Sequence, residues 1–253
     1  MKQLLFQRDL TPGEIVEITG TQFHHLCCVR RLGVDDSFPA RAASGDVYTA
    51  RIVTVTGDRC SVRVVARDHG EDACGEPARA VRLFCAPLKG RKTDSIVRQA
   101  TEVGVSTIGV VHTERTVARI DGDKVESRLR RWNAIAREAV EQCGRPSVPE
   151  ILAPIDFAEL LVRHPPGILL HEAGDAAGAL PVHRDKREAP LVVAVGPEGG
   201  FSDREVPAAR DAGWNIVTLP LPVLRAETAA IVAAALAVLD ANQYSIGLPE
   251  KTS

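Results

Sequence analysis

The segment AVGPEGGFSDRE, residues 194–205, places Gly196, Pro197, Glu198, Gly199 and Gly200 directly behind an apolar run that ends at Val195. Glycine and proline at that density interrupt regular structure, and Ser202 followed three residues later by Glu205 marks a helix start. Strand, glycine loop and helix in succession is a common α/β device for holding a nucleotide-like ligand. The loop fits neither phosphate template: GPEGGF is not G-x-G-x-x-G and lacks a closing G-K-[ST]. Glu198 stands where a phosphate would sit, and an acidic loop repels pyrophosphate while tolerating a cationic or neutral ligand. A sulfonium nucleoside such as S-adenosylmethionine meets that requirement. A tight turn with positive φ would call for the same glycines and no ligand at all.

The second stretch answers that objection. LPLPVLRAETAA, residues 219–230, again leaves a strand, crosses irregular backbone and enters a helix through Arg225, Glu227 and Thr228. Two consecutive strands therefore end in unusual loops. In open α/β sheets, ligands bind beyond the carboxyl ends of the strands.

The elements that must carry these loops are legible in outline. VRLFCAP, VSTIGVVH, GILLH, LVVAVG and NIVTL read as short buried strands. Between them, TDSIVRQATEVG sets Ile96, Val97, Ala100 and Val103 on one helical face with Gly104 as its stop. DKVESRLRRWNAIAREAVEQCG strings Val125, Leu129, Trp132, Ala136, Ala139, Val140 and Cys143 along another and ends at Gly144. SDREVPAARDAG is a third helix, with Pro207 expected at its fifth position to loosen the first turn. Strands alternating with helices predict a mostly parallel sheet, an α/β fold. The last helix, ETAAIVAAALAVLDAN, is apolar almost all round, which fits burial or a subunit interface. Before residue 74 the pattern differs: GEIVEI, DVYTARIVTV and RCSVRVVARD are β-like runs between Gly and Asp turns, as in a small barrel or sandwich. DHGEDACGEPAR, 68–79, reads as the linker.

The whole chain sets bounds. Its 253 residues, 45% hydrophobic and 25% charged, suit one large or two modest globular domains. No uncharged apolar run reaches about 18 residues, and MKQLLFQRDL meets charge too early for a signal peptide, so a cytoplasmic protein is expected. The six cysteines form no C-x-x-C pair, and the adjacent pairs His24–His25 and Cys27–Cys28 lack metal-ligand spacing, so no metal is expected. The net charge of -2 hides a basic block: residues 79–145 hold 14 Lys+Arg against 8 Asp+Glu. Such a block is either a surface for a polyanion or a solvated helix face.

VGPEGGFSDREV followed by a strand and VLRAETA closely resembles the SPOUT (trefoil-knot) methyltransferases. Within them the chain is similar to the RsmE type, which methylates N3 of a uridine in 16S ribosomal RNA. FHHLCCVRRLGVDD, APLKGRKTDSIVRQATEVGV, TERTV and RWNAIAREAVEQCGRPSVPEI match in order, so the resemblance covers nearly the whole chain. It implies an N-terminal PUA-like β-barrel for RNA over 1–74 and a trefoil-knotted parallel-sheet SPOUT domain over 75–253. It further implies S-adenosyl-L-methionine as cofactor, the small ribosomal subunit as partner, and a homodimer.

Carried over residue by residue, the resemblance gives a cofactor pocket of Leu170 and His171, of Gly196, Pro197, Glu198, Gly199 and Gly200, and of Leu219, Leu221 and Leu224. Pro220 and Pro222 depart from the family pattern in the second loop and remove two N–H donors near the adenine. Chemistry at a uridine nitrogen needs a base or a cation to handle the N3 proton. The candidates are Arg225 for charge stabilisation or substrate orientation, Glu198 for loop architecture or contact near the sulfonium, Glu227 or Glu114 as base, and Arg115 on phosphate or uridine. RNA contact falls to Lys89, Arg91, Lys92, Arg128, Arg130, Arg131 and Arg145, with Arg8, Arg30 and Arg31 from the first part. Two alternatives remain: a non-catalytic ribosome-assembly factor on the same fold, and a ribose 2′-O-methyltransferase.

Overall fold

The computed structural model describes residues 3–66, 79–172, 176–177 and 189–242. The chain divides into two compact units, Met1–Gly75 with Val140–Ser147, and Glu76–Ala139 with Val148–Ser253. The expected linker and the 74/75 boundary lie outside the described residues.

The first unit is built on strands β1 (Leu4–Leu5), β2 (Ile15–Thr19), β3 (Ser37–Arg41), β4 (Val47–Thr56) and β5 (Arg59–Ala66). They form one five-stranded sheet in the order β1-β3-β4-β5-β2. Alternation works as the sequence demands: Phe38, Ala40, Ala50, Ile52, Val62 and Val64 point inward and are buried, while their neighbours other than buried Arg41 are exposed or half-buried. A short helix α1 (Gly20–Phe23) runs into a wide helical turn, His24–Val29, which buries Leu26 against this sheet. Arg145, given to RNA on sequence, is buried here at 5% exposure, and its carbonyl accepts a 3.0 Å bond from the Gln3 amide.

The second unit carries the larger sheet. Its strands and helices are β6 (Val81–Cys85), α2 (Lys92–Val103), β7 (Thr107–His112), α3 (Lys124–Cys143), β8 (Glu150–Ile151), β9 (Ile155–Asp156) and α4 (Phe157–Arg163). They continue with β10 (Ile168–Leu170), β11 (Ala176–Ala177), β12 (Leu191–Val195), α5 (Glu205–Asp211), β13 (Asn215–Thr218) and α6 (Ala226–Ala241). The strand order is β11-β13-β10-β12-β6-β7-β8, with β9 beside β7, and every pairing among them is parallel. The α/β reading with a parallel sheet therefore holds.

β10 and β12 are apolar throughout, and β6 is so except for half-buried Arg82, because helices cover both faces. One face packs Ile96, Val97 and Ala100 of α2 and Ala230, Ala233 and Ala237 of α6 against Leu83, Val193 and Val217. The other packs Phe157 and Leu160 of α4, Phe201 of the loop after β12 and Ala209 of α5 against Phe84, Val192 and Leu169.

Three local expectations change. Cys143 ends the α3 stripe but is exposed, because the apolar seam stops at Val140. Pro207 is no irritant: the helix begins at Glu205, so proline sits in the first turn, where its missing N–H has no partner to lose. The last helix is buried on Ala229, Ala230, Ala233, Ala234, Ala237, Val238 and Ala241 only, leaving an outer stripe of half-buried Ile231, Val232 and Leu236 with Leu239 exposed.

Candidate active site

Parallel pairing places the carboxyl ends of β12, β10 and β13 side by side. Leu170, at the end of β10, is in register with Val195 on one side and Val217 on the other. The GPEGG loop, His171 and the 219–225 loop therefore leave the sheet along one edge, with His171 in the middle. His171 is held there from its backbone: its N–H donates to Val217 O at 2.9 Å and its carbonyl accepts from Thr218 Oγ1 at 2.9 Å. The two special loops, separate in sequence, are neighbours in space across one strand.

The glycine loop is a compact turn closed by Gly200 N–H onto Pro197 O at 2.9 Å, with Gly200 at φ +67. Its root is fixed by Gly196, where a Cβ would press on Phe201 at 3.3 Å. Its exit is fixed by a reciprocal pair: Ser202 N–H donates to Glu205 Oε2 at 2.8 Å, and Glu205 N–H to Ser202 Oγ at 3.2 Å. Glu205 is buried, and its second oxygen accepts the Glu114 N–H at 2.8 Å. The same carboxylate thus pins the loop after β7 to the loop after β12. Arg115 adds to that seam by donating to Gly199 O at 2.9 Å. Below them, buried His112 accepts Ile120 N–H on Nε2 at 3.2 Å, and burial, with the Arg119 guanidinium beside it, lowers its pKa. It is neutral at pH 7, as an accepting nitrogen requires.

Lys92 occupies a place the sequence did not reveal. At the first turn of α2, its Nζ lies 3.3 Å from Glu198 Oε1 and 3.3 Å from Glu227 Oε2. One ammonium thus spans the glycine loop and the head of α6. The contact with Glu227 is a close charge pairing and not a well-aimed hydrogen bond. Burial pushes the Glu227 carboxyl up, but its own backbone N–H, Lys92 and Arg225 outweigh burial and hold it below the usual carboxylate range. Its contribution to the loop pair is therefore present above the ordinary carboxylate pKa and lost as pH falls through the lowered one.

The second loop is spare in donors. Pro220 and Pro222 have none, and the Leu221 N–H is spent on Leu219 O at 2.8 Å. The next N–H groups belong to Val223 and Leu224. Leu219 is buried, Leu224 and Leu170 are half-buried on the core, and Leu221 and Val223 stand 50% and 86% exposed. Arg225, extended at φ −64 and ψ 149, heads α6 with its side chain exposed and no hydrogen bond from its guanidinium to a described residue.

The remaining basic residues divide sharply. Lys89, Arg91, Arg128 and Arg31 are exposed, and Arg30 is half-buried. Arg131 grips Asp94 through Nε at 3.0 Å and Nη2 at 2.7 Å, while Trp132 Nε1 donates to the same carboxylate at 3.1 Å. That buried Asp94 welds α3 to α2. Arg130 pairs with Glu126 along α3, and Arg8 is tied to Glu14 at 3.1 Å.

Comparison with known proteins accords with this geometry. Residues 75–238 match the RNA methyltransferase domain family. The ribosomal RNA small subunit methyltransferase E of Mycobacterium bovis is 30% identical over 246 residues, covering 92% of this chain and 90% of the relative. A ribosomal RNA small subunit methyltransferase E 2 of Borreliella burgdorferi is 29% identical over 243 residues, 91% of this chain and 94% of the relative. Among solved structures, the ribosomal RNA small subunit methyltransferase E of Neisseria gonorrhoeae bound to S-adenosyl methionine aligns with a TM-score of 0.80 at 28% identity, over 93% of this chain and 96% of that one. A Legionella pneumophila structure with bound SAM aligns at 0.81 and 26% identity, over 93% and 96%. With a family match over most of its length and relatives covered nearly end to end, the chain belongs to the RNA methyltransferases, alongside the ribosomal RNA small subunit methyltransferase E proteins.

Proposed function

We propose that the protein transfers a methyl group from S-adenosyl-L-methionine to N3 of a uridine in the 16S ribosomal RNA of the small subunit. The observation that carries this reading is the convergence of three strand ends into one edge, flanked by acidic side chains. The residues present fit that cofactor. Leu170, Leu219 and Leu224 offer apolar walls, the glycines of 196–200 allow close backbone approach, and Glu198 and Glu227 supply the negative charge that suits a sulfonium. When bound, the cofactor supplies an activated methyl whose departure leaves a neutral thioether.

The chain's own work is positioning and charge. N3 must give its proton to solvent before its lone pair can act as nucleophile toward a bound methyl donor. Arg225, exposed at the loop edge with no hydrogen bond from its guanidinium to a described residue, would stabilise the resulting uridine anion. Glu227, held ionised by its neighbours and paired with Lys92, is a weak base and serves to hold the loops. Glu198 shares that duty, and Glu114 and Arg115 act through the seam they make with the glycine loop. Exposed Lys89, Arg91 and Arg128 are left to meet RNA phosphate.

The rest of the reading belongs to the same proposal. The five-stranded unit is the PUA-like barrel over 1–74, and residues 75–253 are the SPOUT domain. Its knot is supported by the path of the chain, which leaves β12, pairs β13 on the far side of β10 and returns as α6 to pack on α2, β6 and β12. The apolar outer stripe of α6 suits a homodimer. No helix among the described residues is long and apolar enough to cross a membrane, which accords with a cytoplasmic enzyme.

The test is incubation of the protein with labelled S-adenosylmethionine and 30S subunits lacking the modification, followed by nucleoside analysis. Label in 3-methyluridine is expected. Label in a 2′-O-methylated nucleoside would move the target to ribose, and tight cofactor binding without transfer would make the protein a non-catalytic assembly factor. Lys92→Gln leaves Glu198 and Glu227 facing each other without their shared cation. Half-exposed pairs contribute about 1 kcal/mol or less each, so cofactor binding by calorimetry should weaken about fivefold. Wild-type affinity in that variant would show that the bridge does not set the loop spacing.

A further inference from the structure

A row of polar side chains crosses the solvent face of the sheet in the first unit. Ser37 of β3, Arg51 of β4 and Arg63 of β5 stand in one row, since Ser37 is in register with Arg51 and Arg51 with Arg63. All three side chains point away from the core, because Phe38, Ile52 and Val64 beside them point inward. Two guanidinium groups therefore sit on directly opposed residues of an antiparallel pair, whose Cβ atoms are about 5 Å apart. Like charges in that position oppose pairing unless something of opposite sign joins them.

Nothing among the described residues does so. The other exposed arginines of this sheet and its N-terminal arm are neutralised: Arg8 by Glu14, and Arg59 by Glu17 and Asp58. Arg41 is buried and donates to Gln3 and Gly45. No carboxylate among the described residues lies within ion-pair distance of Arg51 or Arg63. The two instead line a groove of about 480 Å³ with Ser37, Thr49, Val65 and Asp35. The groove combines two forked cations, hydroxyl donors and an apolar side wall, with one carboxylate at its margin.

We infer that this groove binds the phosphodiester backbone of an RNA strand. The two guanidinium forks match phosphate oxygens bidentately, Ser37 and Thr49 donate to the same backbone, and Val65 lies under a sugar or base. Asp35 at the margin disfavours a second phosphate there and limits the contact to a short length of strand. The assignment rests on the RNA-modifying reading above for the nature of the partner, but its readout is RNA affinity and not methyl transfer.

The experiment is fluorescence anisotropy of the full chain against a labelled mixed-sequence RNA, as single strand and as duplex, over a series of salt concentrations. Calorimetry with S-adenosylmethionine is run on the same preparations. Arg51→Ala/Arg63→Ala should bind RNA about tenfold to a hundredfold more weakly at low salt. The slope of log affinity against log salt should fall in magnitude by about 1.5 to 2. Cofactor affinity should stay at the wild-type value, and the thermal midpoint should not fall, since the opposed charges are removed together. Arg51→Lys/Arg63→Lys should keep the salt slope and lose affinity, because it keeps charge without the fork. Unchanged RNA affinity and slope in the double alanine variant overturn the assignment. Polyglutamate is the counter-probe: if its binding needs the two arginines and RNA binding does not, the groove takes an acidic polypeptide instead. A wild-type protein that binds RNA through these arginines but neither binds cofactor nor transfers methyl overturns the enzymatic reading and leaves the groove standing.

Discussion

Arg225→Ala is expected to keep the fold and lower methyl transfer about a hundredfold or more. The side chain is exposed at the head of α6 and carries no packing, so its removal should change stability by less than about 0.5 kcal/mol. Chemistry is another matter. A donor aimed at charge that develops only in the transition state is worth about a hundredfold to a thousandfold in turnover. The loss should fall on kcat, with KM for S-adenosylmethionine within about threefold of wild type, because the walls of the cofactor site do not depend on this residue. Arg225→Lys should recover part of the rate. Thermal melts and single-turnover transfer to 30S subunits separate the two quantities. Full turnover in the alanine variant would take Arg225 out of the reaction.

The second large effect is expected far from any ligand. Gly167 precedes β10, and a Cβ built on it would lie 2.2 Å from Val192 O and 2.8 Å from Val192 Cβ. Neither atom can retreat. Val192 is the residue before Val193, which pairs with Ile168, and the carbonyl of Gly167 itself accepts Asn215 N–H at 2.9 Å. Gly167→Ala must therefore pry β10 from β12 or from β13. An overpacked core commonly costs about 1–3 kcal/mol, and a backbone oxygen that cannot move puts this site at the top of that range or above. For a chain of this size the melting midpoint should drop about 10 °C. Because β10 lies between the two loop-bearing strands, cofactor affinity should fall with it. Gly33→Ala is the control, since its nearest neighbour is 4.0 Å from the added carbon. Equal midpoints for the two variants would mean that the strand can shift without cost.

Where the sequence was informative, it was so through short-range chemistry. The Ser202–Glu205 pair, the stop at Gly104 and the apolar run ending at Val195 depend on residues a few positions apart, and the structure has them as read. The side of Glu205 that grips Glu114 was invisible, because it joins residues 91 positions apart. The basic block shows the same limit. Composition counts charges but does not say which are spent. Lys92 bridges two carboxylates, Arg131 serves Asp94, and Arg145 is buried, whereas Lys89 and Arg91 beside them are exposed. Conversely Arg51 and Arg63 lie 12 positions apart in two unremarkable strands, and only the register brings them face to face. Nor does hydrophobic periodicity carry strand order: it finds β10, β12 and β13 but not that β10 lies between the other two.

That last arrangement has a temporal side. One side of the loop-bearing edge is supplied by residues 215–225, whose strand β13 pairs with a strand laid down almost 50 positions earlier. A nascent polypeptide emerging N-terminal end first can complete its five-stranded unit long before this happens. The three strand ends cannot meet along one edge until residue 218, the end of β13, has cleared the exit tunnel. Such late, long-range closure is slow compared with local folding. The edge on which the two special loops meet is therefore assembled after the strands around it have already left the ribosome.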